Sequence, residues 1–214
     1  MSLIRLQLLL SSILLAGAAC VHVQAQSLPT APTTTTGERK TAVVLVNFTD
    51  DATQLMTPAQ AETMVFGNVS DFFWEASYGK TFVSGQTFGW TTAPVTSANC
   101  RWSELVAQGD RAMAAAGADP ASFQHFVYVF PKAAGCPAGA SNQTGTNGEK
   151  RVFLNGPANA NANTVAHEMG HSFGLLHSDE LDCDRTPLGD TCSVLGYADV
   201  ADTMGGNGHF NAYW

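Results

Sequence analysis

One segment constrains this chain more than any other: His167-Glu168-Met169-Gly170-His171-Ser172-Phe173-Gly174-Leu175-Leu176-His177. Histidines four residues apart share one face of an α-helix, so His167 and His171 can reach a single point. Asn163 or Thr164 is of the type that caps such a helix. Gly174, three residues after His171, lacks a Cβ and can take the left-handed conformation that ends a helix and reverses the chain. That turn brings His177 back to the same point. Three neutral imidazole nitrogens with one open position are the ligand set of a catalytic zinc ion. Glu168 follows His167 by one residue and points about 100° round the helix, beside the ion instead of onto it. A general base belongs there, taking a proton from water as the water attacks a carbonyl polarised by zinc.

The rest of the chain supports one domain around that helix. Its 214 residues are 45% hydrophobic and 13% charged, enough for a real core. A net charge of −8 provides no basic face for nucleic acid or an anionic membrane. Ala42–Phe48 (AVVLVNF) is β-branched and almost wholly apolar, as in a strand buried on both faces. Thr57-Pro58-Ala59-Gln60 is a capping box that opens a helix to about Phe66. A second helix is expected from Asp71 to Tyr78, capped by Ser70 and stopped by Gly79. Lys80–Trp90 reads as extended structure broken at Gly85, and Ser103–Ala116 as an amphipathic helix laid on the sheet. His125–Phe130 is a further strand, Ala133–Gly148 a Gly- and Asn-rich loop, and Arg151–Leu154 a short strand. This order predicts an α+β domain, close to α/β, with a sheet covered by helices.

The N-terminal region reads as an export signal. Leu6–Ala19 is apolar, follows Arg5, and at about fourteen residues is too short for a comfortable membrane span. Val23-Gln24-Ala25 fits a signal-peptidase site, with cleavage after Ala19 as the second choice. The expected organisation is a signal peptide at 1–25, a Thr/Pro-rich flexible leader at 26–38 and the catalytic domain at 39–214. The product is expected to be secreted, with no transmembrane segment. A lipid-anchored Cys20 is the rival reading, weakened by Gly17 where such sites usually carry Leu.

Four cysteines remain after cleavage, and an exported chain would pair them. Of three connectivities, Cys183 with Cys192 closes a short loop, which leaves Cys100 for Cys136. Asp179, Glu180, Asp182, Asp184 and Asp190 crowd one stretch. They could bind calcium, but they lack the alternation and glycine placement of an EF-hand loop, and a solvated acidic loop is the preferred reading. Asn47, Asn68 and Asn142 begin N-x-S/T sequons.

HEMGHSFGLLH resembles the extended zinc-binding motif of the metzincin metallopeptidases. Asp202-Thr203-Met204-Gly205, with Met204 27 positions after His177, resembles the family's Met-turn, in which a methionine forms an apolar floor beneath the histidines. Tyr197–Gly205 and Arg151–Gly156 are similar to the gametolysin-type peptidases, and a looser likeness covers Lys40 to Trp214. Gly206 stands where some metzincins carry a tyrosine ligand, so none is expected. The resemblance implies a mixed, twisted sheet with the zinc helix beneath a cleft, and an antiparallel edge strand that holds substrate as an extra strand. Arg151, Val152, Phe153 and Leu154 are the segment expected to form that edge. It also implies one Zn2+, Glu168 as catalytic base, and a monomer acting on proteins or peptides, extracellular matrix and cell-wall glycoproteins among them. Trp214 comes ten positions after Met204, whereas metzincin domains usually continue further, so a C-terminally truncated domain is expected. The alternative function is a catalytically silent zinc-containing binding module. Retention of Glu168 argues against it, because a structural zinc needs no base.

Overall fold

Side-chain parity in the first strand divides the core. In β1 (Gly37–Phe48) residues 41–48 are all buried, and successive side chains point to opposite faces. Ala42, Val44, Val46 and Phe48 pack on one side with Tyr128, Phe130 and Phe153. Val43 and Leu45 pack on the other with Val127, Val129, Val152 and Leu154. The computed structural model describes residues 35–99, 101–136, 140–184, 186–206 and 208–210. The expected signal peptide, the leader up to residue 34 and Cys100 lie outside the described residues.

β1 pairs in parallel with β2 (Thr81–Ala93) and with β3 (His125–Phe130). β3 pairs in parallel with β5 (Lys150–Asn155), and β5 antiparallel with β4 (Ala140–Thr144). The sheet order is β2-β1-β3-β5-β4, the mixed α+β sheet with an antiparallel edge that was expected. No helix among the described residues is long and apolar enough to cross a membrane.

The edge itself is a correction. Arg151–Leu154 lies in β5, an interior strand: Arg151 faces Phe126 of β3 on one side and Gln143 of β4 on the other. The edge is β4, inside the segment expected to be a loop. Val152, Phe153 and Leu154 are fully buried, as befits a strand with neighbours on both sides. β4, with the sequence ASNQT, is polar enough to look like loop.

Helices cover both faces. α3 (Trp102–Ala115) packs Leu105 and Met113 on the Val44 side. The opposite side is covered by α1 (Pro58–Glu62), a π-helical segment at Thr63–Val69, α2 (Ser70–Ala76) and α4 (Ala162–Ser172). The Thr57/Gln60 capping box forms in both directions. Instead of two separate helices, Pro58–Ala76 is one continuous helical run, because Met64, Val65, Val69 and Phe73 carry a single buried face across the junction. Ser70 is therefore not a cap, and its Oγ accepts the Val83 amide of β2 at 3.0 Å. β2 also runs unbroken through Gly85, where a Cβ would collide with the Thr41 carbonyl of β1 at 1.8 Å.

Candidate metal centre

α4 begins two or three residues before the positions expected from its sequence. Its cap is Asn161, whose side-chain oxygen accepts the Thr164 amide at 2.9 Å, so neither Asn163 nor Thr164 serves. Its end comes where Gly174 places it. Gly174 has φ 92°, its N–H donates to His171 O at 3.0 Å and the Leu175 N–H donates to Gly170 O at 3.1 Å. These paired bonds close a helix C-terminus through a left-handed residue.

The reversal brings one nitrogen each of His167, His171 and His177 within 4.8 Å of one another, with His171 Nε2 and His177 Nε2 3.0 Å apart. His167 Nδ1 donates to the Thr203 carbonyl and His171 Nδ1 to the Leu175 carbonyl, each at 2.8 Å. A carbonyl only accepts, so both Nδ1 atoms carry the proton and both Nε2 atoms keep a lone pair. Burial lowers the pKa of His171 and of His177, which keeps them in the neutral form that a metal requires. Tetrahedral zinc with bonds of about 2.0–2.1 Å needs ligand nitrogens roughly 3.3–3.4 Å apart, close to the 3.0 Å between His171 Nε2 and His177 Nε2.

Met204 is fully buried beneath α4. A Cβ added at Gly170 would meet Met204 Sδ at 2.5 Å, so the glycine inside the motif lets helix and floor approach. Asp202 Oδ1 accepts the Met204 amide at 2.6 Å, and the Met204 carbonyl accepts the Ser178 amide at 3.2 Å. The turn thus grips the residue after the third histidine, while Thr203 orients the first.

Glu168 is 7% exposed, and burial pushes its carboxyl up to about 7. Its backbone carbonyl accepts Asn142 Nδ2 at 2.8 Å, and the same nitrogen donates to Ser172 Oγ at 2.6 Å. Asn142 belongs to β4, so one side chain ties the free edge of the sheet to the helix carrying Glu168. That nitrogen is the one a glycan would occupy, and its two bonds make this sequon a structural position. Asn47 is likewise engaged, with Ala52 O and Thr92 Oγ1, whereas Asn68 is exposed.

Between His177 and the Met-turn lies a hairpin of β6 (Glu180–Asp182) and β7 (Ser193–Leu195), pinned by the Cys183–Cys192 disulfide. Cys136 is also disulfide-bonded; Cys100, the partner expected for it, lies outside the described residues. Among the described residues the histidine triad is the only group of three or more His, Cys, Asp or Glu side chains gathered closely enough for a metal. The acidic run is not gathered in this way: Asp179 and Asp182 accept the Tyr197 and Asp184 amides.

A family model described as Gametolysin peptidase M11 matches residues 48–210. The chain belongs to the gametolysin peptidase family. No curated protein matches it. In this gametolysin-family metallopeptidase the triad, Glu168, Met204 and β4 all fall within the matched span, and its substrates are proteins. Sequence reasoning missed Asn142 and Tyr197, whose ring lies against His177. Asn142 had no signal beyond its sequon, because its partners are on a distant helix. Gly170 did have one, since a glycine inside a helix marks a close approach.

Proposed function

We propose that the chain is a secreted zinc endopeptidase with Glu168 as general base. The observation that carries this reading is the gathering of three histidine nitrogens to one point, with the buried Glu168 one residue along the helix from His167. The chemistry zinc supplies when bound there is Lewis acidity, which polarises a peptide carbonyl and makes water acidic enough to lose a proton near neutral pH.

The chain's own residues do the rest. Glu168 accepts the proton of the attacking water at a carboxylate oxygen and returns it to the leaving amine nitrogen. Its burial raises its basicity towards that task. β4 presents an open backbone edge above α4, and a substrate peptide added there is held by main-chain hydrogen bonds whatever its side chains. The disulfide and the apolar Leu6–Ala19 run support secretion.

Glu168→Gln keeps the shape and cannot take up the proton. Zinc content should match the parent, and cleavage of an unfolded protein should fall by about two to four orders of magnitude, about 3–5 kcal/mol in the barrier. Metal analysis and a chelator-controlled cleavage assay check both. A variant that binds zinc and cleaves at the parental rate removes Glu168 from the mechanism. A parent that binds zinc and cleaves nothing is a binding module.

A further inference from the structure

His167 and His171 are each oriented by a backbone carbonyl on Nδ1. His177 is not: it lies beyond the helix, and no carbonyl among the described residues accepts from its ring. Its neighbour is aromatic. The Tyr197 ring centroid lies 3.8 Å from that of His177 at an interplanar angle of 37°, and 6.2 Å from that of His167 at 15°. His167 and His177 are themselves 5.4 Å apart at 24°. Three rings from three places in the chain therefore lie together, with the His167 ring stacked against both others and the Tyr197 ring tilted over the third ligand.

Tyr197 is not held there by core burial, because 53% of it is exposed. Its backbone is in the left-handed region, φ 61°, which a bulky residue keeps only when its surroundings hold it. What holds it is local to the site: the Tyr197 N–H donates at 3.1 Å to Asp179 Oδ1, two residues after His177. The contact joins the third ligand to the segment leading into the Met-turn.

We propose that Tyr197 is the positioning residue for His177, setting the imidazole plane by ring-face contact as the Thr203 and Leu175 carbonyls do for the other two ligands. The proposal rests on the zinc reading above. The ring is the working part and the hydroxyl is dispensable. Loss of a group that orients a metal ligand typically weakens metal binding by about 10- to 100-fold.

Three variants separate the possibilities: Tyr197→Phe keeps the ring, Tyr197→Leu keeps bulk without a ring, and Tyr197→Ala removes both. Zinc release into excess chelator is timed for the full chain and each variant, and the His177 ring-proton resonance is recorded for the metal-free proteins. The Leu and Ala variants should release zinc about 10- to 100-fold faster than the parent, and Phe at close to the parental rate. In the metal-free state the resonance should move downfield in Leu and Ala, as ring-current shielding is lost, and stay in place in Phe. Parental release rates with an unmoved resonance in the Leu and Ala variants overturn the proposal. So does a Phe variant as impaired as Ala, which makes the hydroxyl the working group. A parent that holds no zinc overturns the proposed function instead, and the metal-free resonance still decides whether the ring is a clamp.

Discussion

Burial raises the pKa of the Glu168 carboxyl and lowers that of the His125 imidazole, and the second of these, outside the metal centre, sets an acid limit on the fold. His125 is 4% exposed and its Nδ1 has no partner. Desolvation, then the charges of Arg39 on β1 and Lys150 on β5, lower its pKa to about 4. The Phe173 ring lies 6.0 Å away at the end of α4, and the charges that act on His125 among the described residues are both cations. Unfolded histidine titrates near pH 6.5, so between about 6.5 and 4 the unfolded chain binds a proton that the folded chain refuses. The neutral side chain's contribution is fully present above 6.5 and is lost as pH falls towards 4. At about 1.4 kcal/mol per pKa unit the loss approaches about 3 kcal/mol. His125→Gln has no such proton to bind, so its denaturant-unfolding free energy should fall less steeply than the parent's from pH 7 to pH 4. Parallel pH profiles would show that His125 is not the source.

Among the elements, the coupling that matters is between β4 and α4. If β4 takes a substrate strand as proposed, its scissile carbonyl must come to the histidines, and the Asn142 side chain is a bolt between the two elements. Asn142→Ala removes two hydrogen bonds, each worth about 0.5–1.5 kcal/mol net. Zinc content should be unchanged, kcat/KM on a peptide should fall roughly 10-fold, and amide exchange at residues 140–144 should quicken. Unchanged exchange together with unchanged kcat/KM would mean that the bolt holds nothing. The π-helical segment before α2 shows the same dependence on partners: a continuous buried face overrides local capping at Ser70.

Over the whole molecule, the triad and its supports join pieces of chain that no other covalent or metal link connects among the described residues. α4 supplies two histidines, the turn after Gly174 the third, and the Met-turn the floor. A metal that binds this arrangement and not the unfolded chain stabilises the fold by mass action, by about 4 kcal/mol at a thousandfold excess over Kd. Zinc should therefore raise Tm and a chelator should lower it, while His177→Ala should lose most of that response. Calorimetry with and without metal checks this, and a chelator-independent Tm would argue against a resident ion.

What the amino-acid order determined by itself was local. Histidine spacing within one turn, a glycine that can turn left-handed after His171, the burial parity of β1 and β3, and the short Cys183–Cys192 loop each depend on residues close along the chain. The place of Glu168 on the zinc helix was legible for the same reason, because it follows His167 by one residue inside the same helical turn. Strand order was not legible. An apolar run such as Val152-Phe153-Leu154 tells that a strand is covered on both faces and says nothing about which strands flank it, so β5 passed for the edge and the polar β4 for a loop. Asn142 and Tyr197 act across 26 and 20 positions of sequence. Their roles arise only when tertiary packing sets one beside the Glu168 carbonyl and the other against His177, and no periodicity in the chain encodes such a meeting.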